Sequence, residues 1–192
     1  QARMPEASRD RSSGTFDKNM NTPEHLHLAL NHLPFLGAGF AIIPLAIGFI
    51  TKNKNAVFAG LLIAVLSGWV TPIVMATGES AYERYEEGSI AKFLDPQVEQ
   101  FLEIHEHRAE AWSKAMYANA VISTLCLGLL LWKPSWVRSL SGTASVFCLV
   151  SLFSGIWIAE SGGLIRRPDF RGDQITGVPN TSQQEKAHHD DD

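Results

Sequence analysis

The sequence predicts an all-α fold, a bundle of four transmembrane helices. Three observations predict it. Apolar residues are 45% of the 192, an ordinary share for a globular domain, yet they gather into four blocks of about 20 residues, the length that crosses a bilayer. The polar segments between the blocks hold most of the charge, which is 19% of residues and nets −4. The two short connections carry only positive charge, whereas the long one is acidic. This composition excludes a disordered or collagen-like chain, and two cysteines exclude a disulfide scaffold. With no Lys/Arg cluster and a slightly acidic balance, nucleic acid is not an expected partner.

The first span is read at 33–51 and the second at 55–78, both without charge. The third, 112–132, carries Lys114 near its outer end, and the fourth, 137–158, carries Arg138 at its start. A helix of about 20 residues rises roughly 30 Å, enough to cross the hydrocarbon core. Lys52 and Lys54 lie between spans one and two, and Lys133 with Arg138 between spans three and four. The positive-inside rule puts these loops in the cytoplasm. The connection 79–110, with Glu79, Glu83, Glu86, Glu87, Asp95, Glu99, Glu103, Glu106 and Glu110, then lies outside together with both termini. The expected topology is N-out/C-out in a bacterial inner (cytoplasmic) membrane. Trp112, Trp132 and Trp136 fall at interfaces.

The expected organisation is a polar, unstructured segment 1–22, a four-helix membrane domain 23–171 and a polar tail 172–192. Met20, followed by Asn21, Thr22, Pro23 and Glu24, reads as a native start opening a helix. Asp95–Pro96 reads as the N-cap and first turn of helix three. Helix three, and helix two with it, then extends beyond the membrane on the periplasmic side. In span two a small-residue stripe of Ala56, Gly60, Ala64 and Gly68, matched in span four by Ser151 and Gly155, predicts close helix contacts. Cys126 and Cys148 read as small apolar residues within spans.

None of the seven histidines lies in a cytoplasmic loop. His25, His27 and His32 precede span one, His105 and His107 precede span three, and His188 and His189 close the tail. Glu79 and Glu83 follow span two, and Glu160, Arg166 and Arg167 follow span four, so every helix brings ionisable groups to one membrane face. On helix three the apolar positions Val98, Phe101, Leu102, Ala109 and Trp112 form a stripe toward the bundle. His105 lies on it, while Glu103, Glu106, His107 and Glu110 lie off it. Asn31 stands beside His32 to orient an imidazole.

Two imidazoles from helices one and three at one depth suit axial ligation of a b-type haem. His32 and His105 are the expected ligands, with His27 beside them and Arg166 paired to a propionate. A mixed transition-metal site would draw on His27, His32, Glu79, Glu83, His105 and Glu106. A polar rim with no cofactor at all is the plainer reading of the same residues. Cys-x-x-Cys-His, a nucleotide-binding glycine loop, Gly-x-Ser-x-Gly and His-Glu-x-x-His are absent, so no catalytic residue is assigned.

The run His27-Leu28-Ala29-Leu30-Asn31-His32-Leu33-Pro34, with Gly37, resembles the opening motif of a family of uncharacterised bacterial four-helix membrane proteins. Gly78-Glu79-Ser80-Ala81-Tyr82-Glu83, His105-Glu106 and Gly162-Gly163-Leu164-Ile165-Arg166-Arg167-Pro168-Asp169 resemble its later motifs, in order, over 24–171. In that family the last motif has His and Glu where this chain has Arg167 and Asp169. The resemblance implies fold and topology but no reaction. Two functions are therefore carried forward. One is a redox/electron-transfer or accessory subunit binding haem or metal at the periplasmic end, with other membrane subunits or redox proteins as partners. The other is a non-catalytic structural subunit of a larger membrane complex.

Overall fold

The computed structural model describes residues 22–90 and 97–171. Their regular structure is entirely helical: α1 (Pro23–Leu30), α2 (Leu33–Thr51), α3 (Lys54–Gly68), α4 (Thr71–Glu86), α5 (Glu99–Trp132) and α6 (Val137–Arg166), with 3-10 turns at Pro134–Trp136 and Pro168–Phe170. Met20, Asp95, Pro96 and the tail 172–192 lie outside the described residues, as does all of the 1–22 segment except Thr22.

The six helices form four rods: α1 with α2, α3 with α4, α5, and α6. Each rod is long and apolar enough to cross a membrane. The chain is thus a multi-pass helical membrane protein. α2 covers the residues of the first apolar block. The second block does not form one helix over 55–78. α3 stops at Gly68, and α4 restarts at Thr71 and runs to Glu86. Pro72 is the cause, since it has no N–H to continue the ladder and fits only a first turn. The chain steps through it with Val70 N–H on the Ser67 carbonyl at 3.2 Å. Pro34 makes the matching break between α1 and α2. Pro44 lies within α2 without ending it.

α2 packs between α3 and α6, α5 closes the ring between α3 and α6, and α1 lies along α4. Lipid tails satisfy large apolar side chains as well as protein does, so tight contacts fall to small residues. The distribution follows this rule. Ala38, Ala41, Ala64 and Ala144 are fully buried, whereas Phe40, Ile43, Leu66, Leu131 and Phe153 face outward, each more than 60% exposed. A Cβ on Gly60 would lie 3.0 Å from the Ala41 carbonyl oxygen and 2.7 Å from Leu45 Cγ. One on Gly68 would lie 3.0 Å from Ala120 Cα. Glycine is required at both because the neighbouring helices touch there.

Lys52, Lys54, Lys133 and Arg138 gather at one end of the bundle, where Arg138 Nε donates to the Phe49 carbonyl at 3.1 Å. Asn53 caps α3, its Oδ1 accepting from the backbone of Asn55 at 2.9 Å. The described histidines occupy the other end. There the final carbonyls of α6 are satisfied by Arg171, which is buried. Its Nε donates to the Leu164 oxygen at 2.8 Å and its guanidinium stacks 4.5 Å from the Phe101 ring centre. Val98 and Phe101 face inward as the stripe requires, but Trp112 is 48% exposed. Its large amphipathic ring belongs on the outside of the rod, where lipid and water can both be reached.

Candidate functional site

α1 and α5 each carry one histidine into the histidine end of the bundle. His27 and His105 meet there with ring centres 6.5 Å apart and planes at 88°. Each is held through Nδ1 by a helix carbonyl, and His105 has a serine hydroxyl in addition. His27 Nδ1 is 3.0 Å from the Val74 carbonyl oxygen. His105 Nδ1 is 3.2 Å from the Ile158 carbonyl oxygen and 3.1 Å from Ser161 Oγ. A carbonyl only accepts, so in each ring Nδ1 carries the hydrogen and Nε2 keeps its lone pair.

Each carbonyl belongs to a short repeated unit. Thr77 Oγ1 shares its hydrogen between the Ile73 oxygen at 2.8 Å and the Val74 oxygen at 3.0 Å, and Ser161 Oγ donates to the Ile158 oxygen at 2.7 Å. A glycine follows each hydroxyl, and the imidazole rests on it. A Cβ on Gly78 would stand 2.9 Å from His27 Cε1, and one on Gly162 would stand 3.1 Å from His105 Cε1. Val-x-x-Thr-Gly in α4 and Ile-x-x-Ser-Gly in α6 are thus similar cradles for two imidazoles, differing in that only the Ser161 hydroxyl also meets the ring. Asn31, one turn after His27, adds a buried Oδ1 with no hydrogen-bond partner.

The other expected ligands are placed differently. His32 is exposed at the start of α2 and stacks on Phe35 with ring centres 5.6 Å apart. The ring that meets His105 is therefore that of His27. The reason is the Pro34 break, which ends α1 before His32 and leaves His27 on the turn facing α4. Glu79, Glu83 and Glu106 are exposed, and so is Arg166. Among the described residues no three His, Cys, Asp or Glu side chains come together as a metal cluster. Arg167 is bidentate with Asp169, at 2.6 and 2.9 Å, so the two residues that depart from the resemblance motif satisfy one another. His188 and His189 lie outside the described residues.

His27 and His105 lie outside the apolar spans, and both titrate below the usual histidine range. Desolvation is the main cause for each. The carbonyl bonds oppose it, while His32 near His27, and His27 with Arg108 near His105, add to it. Desolvation, then Glu110, Glu86, Glu103 and Glu79, push the Glu106 carboxyl upward. The pair is accordingly neutral at pH 7, the form that binds metals. A depressed histidine pKa means that the unfolded chain takes protons first, so stability rises with pH and falls as pH drops through about 6.5. Glu106 has the opposite sign but acts nearer the carboxylate range. Thermal melts in detergent are expected to show a lower midpoint at pH 5.5 than at pH 7.5, and the difference should shrink in His27→Gln/His105→Gln. A flat or inverted profile would contradict this placement.

Compared with known proteins, the chain matches no family model, no curated relative and no solved structure.

Proposed function

We propose that the chain is a redox or accessory membrane subunit whose paired histidines hold a metal-bearing prosthetic group, with b-type haem the best fit. The observation that carries this reading is that both rings are fixed through Nδ1 by a helix carbonyl. Nδ1–H on a carbonyl orients an imidazole and leaves Nε2 as a donor, the arrangement found around metal-bound histidine. The spacing suits a shared centre, since two imidazoles on opposite sides of one metal at about 2 Å have ring centres roughly 6 Å apart. Among the described residues no third His, Cys, Asp or Glu joins the two imidazoles in a metal-binding cluster. A bare Zn²⁺ or Fe²⁺ ion needs more ligands, whereas haem iron brings four nitrogens of its own and asks the protein for two.

Bound there, the group would supply one-electron chemistry. His27 and His105 would ligate it, the Val74 and Ile158 carbonyls would raise the basicity of the imidazoles, and Asn31 Oδ1 and exposed Arg166 would meet its polar edge. The charge distribution supports an N-out/C-out orientation, with Lys52, Lys54, Lys133 and Arg138 cytoplasmic and the site on the periplasmic side of a bacterial inner membrane. α5 has 34 residues and a length of about 51 Å, so its acidic N-terminal turns would project there. A donor or acceptor protein, or a larger membrane complex, would dock on that side.

A reduced-minus-oxidised spectrum of the purified protein, with elemental analysis of the same sample, tests the proposal. A Soret band or stoichiometric metal supports it. If both are absent, the imidazoles are pins between helices and the non-catalytic subunit reading takes its place.

A further inference from the structure

Halfway along the bundle lies a second polar place, separate from the histidines. Asn119 on α5 is fully buried, and its Oδ1 accepts from Ser123 Oγ at 3.3 Å and from the Cys148 thiol at 3.4 Å. Its Nδ2 has no partner among the described residues. Ser151 Oγ on α6 and Thr71 Oγ1 on α4 are likewise buried and unpartnered, with side chains 0% and 1% exposed.

The helix register brings these three groups into one layer. Cys148 touches Asn119 directly, and Ser151 lies one turn further along α6 on the same buried face. Gly68 contacts Ala120, and Thr71 lies three residues beyond it. Both steps lead from the Asn119 level toward the Met116 level, so the three residues fall within about one turn, 5.4 Å, measured along the bundle axis. Beyond them, buried Ser113 and Ser154 continue the polar face toward Ser161 and His105. In the other direction the interior turns apolar, with Leu45, Leu61, Leu130 and Leu140.

Three unsatisfied polar atoms inside a membrane bundle are costly, and nothing in lipid can satisfy them. Were the layer dry, apolar residues of the same size would serve better. A ligand with both donors and acceptors relieves all three at once: Nδ2 donates, and each hydroxyl does either. We propose that this layer is an internal water site, in which one or more water molecules bridge Asn119, Ser151 and Thr71. The serine face then gives it a polar connection toward the His27/His105 pair. The inference does not depend on the haem reading, because it uses none of the same groups and its test needs no cofactor.

The Cys148 thiol is a built-in reporter, since it is bonded to Asn119. In a Cys126→Ala background its S–H stretch can be followed by infrared spectroscopy after transfer of lipid-embedded protein into D2O. A water-bridged layer exchanges S–H for S–D within minutes, while amides in the middle of α5 and α6 stay protonated for hours. Ser151→Ala and Thr71→Val should each slow that exchange at least tenfold and lower the melting temperature, because each removes a hydrogen bond to the bridge. Asn119→Leu should lower the melting temperature further. A thiol that exchanges no faster than the helical amides would overturn the proposal. A rise in melting temperature in Ser151→Ala or Thr71→Val, the response of a dry layer losing an orphaned group, would overturn it equally.

Discussion

Replacing Gly155 by valine should cost the bundle a large part of its stability. A Cβ at this position falls directly on the Cβ and ring of Phe35, and Phe35 is itself 6% exposed. The contact joins α2 to α6, and the collision begins at Phe35 Cβ, which no rotation of the side chain can move away. Overpacking of a tight core typically costs about 1–3 kcal/mol, and valine inserts three carbons where one already collides. Against a total stability of roughly 5–15 kcal/mol, a fall in melting temperature of 10 °C or more is expected. The double variant Gly155→Val/Phe35→Ala should recover part of the loss. Equal melting temperatures for wild type and Gly155→Val would show that α2 and α6 do not pack in this register.

The second large effect concerns the imidazoles. His105→Ala and His27→Ala should each abolish binding of haem by the apoprotein in a spectroscopic titration, because each removes one of two ligands and no third joins them among the described residues. His32→Ala, at an exposed ring stacked on Phe35, should leave the affinity within about threefold. Gly162→Ala sends a Cβ to within 3.1 Å of His105 Cε1. It should shift the ring off its carbonyl and weaken binding by about 10- to 100-fold, the range seen when support for a metal ligand is disturbed. Gly78→Ala should do the same through His27. Equal affinity in all four variants would place the ligand elsewhere.

Much of the architecture was legible in the sequence, for a physical reason. A lipid-crossing helix must be apolar over its whole length, so spans announce themselves by composition alone. The small-residue stripe was legible in large part: Gly60, Ala64 and Gly68 are buried, while Ala56 at its end is half-buried. The Trp69–Val70 break was missed although Pro72 marks it, because hydropathy is blind to where the backbone ladder fails. Trp112 was assigned inward by period, but size and polarity place it outside.

The site was legible only in part. His105 was expected to point inward and does, yet its partner was sought at His32, whose neighbour Asn31 and depth seemed right. What decides between His27 and His32 is the turn at which α1 ends, and periodicity does not resolve a single turn. The glycines at 78 and 162 were motif positions without an evident role. Their role appears once Val-x-x-Thr-Gly and Ile-x-x-Ser-Gly are set side by side, a repeat that two dissimilar helices hide. The exposed carboxylates Glu79, Glu83 and Glu106 share a membrane end with the histidines, but sharing an end does not bring side chains together. Asn119 drew no notice because a neutral amide within an apolar run leaves no charge to flag it.

The most direct test of the account is the number of imidazole nitrogens on the bound metal, read by X-ray absorption at the metal edge of protein purified from its native membrane. The account predicts two imidazoles at about 2 Å in wild type and no bound metal in either His27→Ala or His105→Ala. A metal without imidazole ligands, or two imidazoles that survive both substitutions, would contradict it.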